Sequence, residues 1–144
     1  MTRLAGRQAL LTASIAFVAA NLIHTADHLR QGVDGLTWEI LAGGSVLTAL
    51  AFVVLGLALR DSRHAPLFAA VVGIQGAVGI AAVHIAPHWS ALSDSYSENG
   101  ADVLSWIVML AEVGAAAWFG VVGLRAMRRG TGAPSGQVPQ RVVA

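Results

Sequence analysis

Residues 9–29 read ALLTASIAFVAANLIHTADHL, and this stretch decides the fold. It carries no charged residue before Asp27 and is about 20 residues long, enough to cross a ~30 Å hydrocarbon layer as one helix. It closes on His24 and His28, four residues apart. That spacing puts both imidazoles on one helix face. A secretory leader is the competing reading, because Arg3 and Arg7 precede the run and Val18, Ala19 and Ala20 resemble a cleavage site. The run continues past Ala20 and little polar sequence follows, so a membrane span is expected.

Three further runs follow the first. They cover residues 38–59, 67–88 and 102–127, and the first span is placed at 9–29. The glycine-punctuated stretch 30–37 reads as a turn, and Pro66 suits the first turn of the third helix. Trp38 and Trp89 occupy interfacial positions. The chain is 56% hydrophobic and 12% charged over 144 residues, against roughly 25% charged in an ordinary soluble domain. Its mean hydropathy of +0.66 agrees. An all-α integral membrane protein with four transmembrane helices is expected over residues 1–129. Residues 130–144, rich in Gly, Pro, Ser and Gln, read as a disordered cytoplasmic tail.

The arginines set an orientation. Arg3, Arg7, Arg60, Arg63, Arg125, Arg128 and Arg129 flank one side. The opposite connections hold only Arg30, beside Asp34, Glu39, Asp94, Glu98 and Asp102. The positive-inside rule then puts both termini in the cytoplasm of a multi-pass cell-membrane protein.

Composition also excludes chemistry. There is no cysteine, so thiolate metal sites, iron–sulfur clusters and disulfides are ruled out. All nine basic residues are arginines, which rules out Schiff-base and P-loop lysines. They are spread along the chain, and no nucleic-acid partner is expected. The expected partners are the lipid bilayer and either a second copy, as a homodimer, or a larger membrane complex.

A second histidine pair, His84 and His88, ends the third run with the same spacing. A shift of 60 residues carries Arg3, His24 and His28 onto Arg63, His84 and His88. A shift of 68 carries Trp38 and Arg60 onto Trp106 and Arg128. This reads as a duplicated helical hairpin about an axis along the membrane normal. Two pairs facing each other across that axis would present four imidazoles, His24, His28, His84 and His88, to one metal ion or a close pair of ions. Nitrogen and oxygen donors alone point to Zn, Cu or Fe.

Ionisable groups inside a membrane helix are costly and mark functional positions. Glu112 lies ten residues beyond Asp102, about 15 Å along the axis. It is expected to be a catalytic acid or base, or a metal ligand. Failing that, it is a protonated carboxyl bonded to another helix, with Asn21 or a backbone carbonyl as the partner. Asp27 is the second catalytic candidate, as a ligand or as a group that orients an imidazole; the alternative is that it caps the outer end of the bundle. Asp102 reads as a helix cap. The loop 90–101 reads first as a solvated connection, and alternatively as a lid that supplies a carboxylate or the Tyr96 hydroxyl.

The function expected is a small membrane protein with a histidine-rich metal site near the outer face, and a metal-dependent enzyme acting on an apolar substrate is one form of it. The alternatives are a haem-binding electron-transfer subunit, with one axial histidine from each pair, and a non-catalytic or transport subunit.

Overall fold

In the computed structural model the backbone of residues 3–131 is described, and side chains for 4–129. The expected tail lies outside these residues apart from Gly130 and Thr131, which continue the last helix. The described chain is all helical: α1 (Arg3–Gln31), α2 (Trp38–Leu59), α3 (Ala65–His84), the short α4 (Tyr96–Asn99) and α5 (Val103–Thr131). Four of these are long and apolar enough to cross a membrane, namely α1, α2, α3 and α5. The chain is therefore a multi-pass membrane protein in its architecture.

Local chemistry sets the helix ends. Gly32, at φ +96°, ends α1, and its N–H donates to the His28 carbonyl at 3.0 Å. Thr37 caps α2 by accepting from the Ile40 N–H at 3.3 Å. Pro66 sits in the first turn of α3. Asp102 caps α5, as expected, accepting from the Ser105 N–H at 2.9 Å.

The third helix stops earlier than the sequence pattern indicated. It ends at His84 rather than His88. Pro87 has no N–H to give to the Val83 carbonyl, and its ring disfavours helical backbone at Ala86. The chain turns away, and the N–H of Asp94 reaches that same Val83 carbonyl at 2.9 Å. The loop is thus folded back onto the end of α3.

Small residues govern packing between α3 and α5. A Cβ added at Gly73 would run into the backbone of Ala116 and Gly120, and one at Gly123 into the backbone of Pro66, Ala69 and Ala70. The helices therefore touch backbone to backbone, the usual arrangement where lipid supplies no hydrophobic drive. Phe17 of α1 stacks on Phe119 of α5 with centroids 5.4 Å apart, within a core that includes Ala13, Val54 and Ala116.

Helix α2 is different. Its buried residues, Ala51, Val54 and Ala58, all lie in its second half. The first half stands off, and a cavity of about 820 Å³ lies between it, α1 and α3.

Gly73→Val should force α3 from α5 and cost about 1–3 kcal/mol, while Gly79→Ala, whose Cβ meets nothing within 4 Å, should be neutral. Thermal unfolding in detergent followed by circular dichroism checks this. A Gly73→Val midpoint equal to that of Gly79→Ala would contradict the packing.

Candidate metal centre

Two turns of α1 present Asn21, His24 and His28 on a single face. The end of α3 brings His84 against them. Centroid separations are 4.6 Å for His24–His28, 4.9 Å for His24–His84 and 5.3 Å for His28–His84. One possible ligand nitrogen from each ring lies within 4.8 Å of the other two. His24 and His84 are buried and His28 is nearly so.

Hydrogen bonds fix the tautomers. His24 Nδ1 meets Glu112 Oε2; with a carboxylate there, which only accepts, Nδ1 would carry the shared proton. Asn21 Nδ2 donates to the other oxygen of Glu112 at 2.7 Å, and the Thr48 hydroxyl donates to Asn21 Oδ1 at 2.7 Å. On α3, His84 Nδ1 lies 3.1 Å from the Asp94 carbonyl oxygen and 3.4 Å from its Oδ2. Acceptors at that place put the proton on Nδ1 here too. In both residues the lone pair is left on Nε2. Carboxylate or carbonyl partners of this kind orient metal-binding imidazoles and raise their basicity.

The Tyr96 hydroxyl meets His24 Nε2 at 3.0 Å, and the Tyr96 ring lies 4.5 Å from that of His84. Tyr96 is 2% exposed. Burial pushes its hydroxyl well above the usual range, so it stays protonated and donates. Asp94 sits beside His84 and His28, at 3.4 and 3.9 Å. The hydrogen bond with His84 holds its carboxyl below the usual range, against the opposing effect of burial.

The expected site residues fall into two groups. His24, His28, His84 and Glu112 come together. His88 does not: it is exposed, and its backbone N–H donates to Glu98 at 3.1 Å. The reason is the early end of α3, which breaks the four-residue helical spacing. Asp27 is buried beside the cluster, but Arg30 and Gln31 take its oxygens at 2.8 Å each. Arg30 continues to Asp102 and to Ser105 Oγ, so the set ties the end of α1 to the start of α5. The Ser105 backbone N–H, followed by Arg30, brings the Asp102 carboxyl down to about 2.

Tyr96 and Asp94 are the residues that the reading of loop 90–101 as solvated did not use. Their signal was Pro87. A helix that must stop at His84 leaves a connection long enough to return over its own end.

An ion held by His24, His28 and His84 would sit at metal–nitrogen distances of about 2.0–2.1 Å for zinc and would displace the Tyr96 hydroxyl from His24 Nε2. The imidazoles rest ring against ring. Every buried side-chain nitrogen and oxygen among the described residues has a hydrogen-bond partner. The chain matches no family model, no curated protein and no solved structure, so its function is argued from these side chains alone.

Glu112→Gln keeps the shape but weakens the pull on His24 Nδ1–H. It should lower zinc affinity about 10–100-fold, and His88→Ala should leave affinity unchanged. Competition titration against a chromophoric chelator measures both. A wild-type affinity in Glu112→Gln would remove Glu112 from the centre.

Proposed function

We propose that the chain is a metal-binding membrane protein in which His24, His28 and His84 hold one first-row transition ion. Zinc is the first choice, with copper or iron compatible with the same donors. The observation that carries this reading is the pair of oriented imidazoles: His24 Nδ1 on Glu112 and His84 Nδ1 on Asp94, with His28 stacked beside them. Burying three imidazoles and a carboxylate in apolar helices is costly unless something uses them.

A three-histidine set with one open position is the pattern of catalytic rather than structural zinc. The ion would act as a Lewis acid, or generate a nucleophile by lowering the pKa of bound water. We therefore read the centre as that of a metal-dependent membrane enzyme acting on an apolar substrate. Glu112 orients His24 and is a positioning residue. Tyr96 and Asp94 stand nearest the open position, where a proton would be given or taken. Asp27 holds Arg30 and the α1–α5 junction.

The orientation proposed has both termini in the cytoplasm of the cell membrane. It rests on the arginine asymmetry and sets the centre near the outer face. The duplicated hairpin remains part of the proposal through the juxtaposition of His24 and His84, although His88 departs from it. The direct packing of the imidazoles speaks against the haem alternative.

Elemental analysis of detergent-purified wild type and of a His24→Ala/His84→Ala variant tests the reading. One equivalent of metal per chain, lost in the variant, is expected. A folded wild-type sample without metal, which also takes up none of zinc, copper or iron on addition, would overturn it.

A further inference from the structure

The cavity beside the centre, at about 820 Å³, is within the ~300–1,000 Å³ range of sites for one small organic molecule. Its rim includes Leu41, Val46 and Leu50 of α2 and Phe68 and Val71 of α3, all exposed and all within membrane-crossing helices. The cavity is therefore open to the hydrocarbon between these helices, and Val33, Leu36 and Leu92 of the connecting loops close its outer end. Inside, Leu47, Val72 and Ile80 present an apolar surface.

The polar atoms are concentrated. Asn21, His24, His28, His84 and Glu112 form one wall, with Thr48 bonded across to Asn21. No arginine lines the cavity, and its two ionisable groups other than histidine are Glu39 and Glu112. A phosphate or carboxylate head would meet acids and no side-chain cation. A neutral oxygen meets a better set: the Thr48 hydroxyl and, on the metal-centre reading, the open position of a three-histidine ion, which accepts oxygen donors readily.

We infer that this cavity binds one membrane-dissolved lipophile with a neutral oxygen head, a hydroxyl or a carbonyl, which passes between α2 and α3 and sets that head against His24, His28 and His84. The placement of the head rests on the metal-centre reading. The seat for the apolar body does not, because it depends on the gap beside α2. Long-chain alcohols and quinone-type carbonyls share the required chemistry.

Gly79 provides the test. It lines the cavity, and a Cβ added there meets nothing within 4 Å. Gly79→Phe should place a ring in the space from a position where the first added carbon meets no neighbour; the zinc content and circular dichroism of the variant check that the helices and imidazoles stay in place. The zinc-loaded wild type and Gly79→Phe, in phosphatidylcholine nanodiscs, are titrated with tritiated oleyl alcohol, with empty nanodiscs as the blank. Zinc content is measured on the same samples.

The expected result is saturable binding of one alcohol per chain, weakened at least about tenfold in Gly79→Phe with zinc unchanged. Hexadecane should not compete. Whichever of unlabelled oleyl alcohol and a short-chain quinone competes more strongly identifies the source of the head. Binding no greater than the blank in protein that holds its zinc, or equal binding in Gly79→Phe, overturns the inference and leaves the metal centre standing. Competition by oleic acid as strong as by the alcohol overturns the neutral head. Saturable binding that Gly79→Phe removes, in protein that takes no zinc, upholds the occupant and overturns the metal centre.

Discussion

A carboxyl group midway along an apolar helix has to be met by a partner, and the arrangement of this protein follows from how Glu112 is met. Its two oxygens take a proton donor each from α1, Asn21 Nδ2 and His24 Nδ1. Those residues are three apart, so a single helical face serves both. The pairing fixes the axial register of α1 against α5. Phe17 on Phe119 and the Arg30–Asp102 ion pair extend the same register to either side. The partly exposed ion pair adds little stability by itself. The buried hydrogen bonds set the alignment, because leaving either partner unmatched in a membrane interior is expensive.

Once His24 is held by its Nδ1, the rest of the centre is constrained in turn. Its Nε2 lone pair must face something, and in the structure it faces the Tyr96 hydroxyl on α4. α4 can reach there because the loop returns over the end of α3, tied by Asp94 N–H to the Val83 carbonyl and by the Thr37 hydroxyl to the Ala91 carbonyl at 2.5 Å. His84, as the last residue of α3, is presented at the place where the helix gives way to this loop. α2 takes no part in the polar cluster beyond Thr48, and so its first half is free to stand apart and leave the cavity.

Much of this was legible in the residues. Uninterrupted apolar runs specify four spanning helices, and α2 matches the expected 38–59 at both ends. The i, i+4 pair His24 and His28 lies in mid-helix, where spacing translates directly into geometry. Asn21 was one of two partners open to Glu112, a backbone carbonyl being the other, and the side chain is the one it meets. The reading failed where backbone chemistry outweighs periodicity. Pro87 ends α3 before His88 can share a face with His84. The loop's Tyr96 and Asp94 carry no periodic signal at all, and their place depends on tertiary hydrogen bonds to residues far along the chain. At Asp27 the two readings could not be separated by spacing alone; Arg30, one helical turn on, pairs with its carboxylate and ties it into the end of the bundle.

The central claim is that His24, His28 and His84 bind one ion together. X-ray absorption at the zinc edge of the zinc-loaded wild type tests it most directly, because multiple scattering counts imidazoles around the metal. The account predicts three imidazole nitrogens at about 2.0–2.1 Å and one further light donor, falling to two imidazoles in His28→Ala. A zinc shell with one imidazole or none, or a spectrum unchanged by His28→Ala, would contradict it.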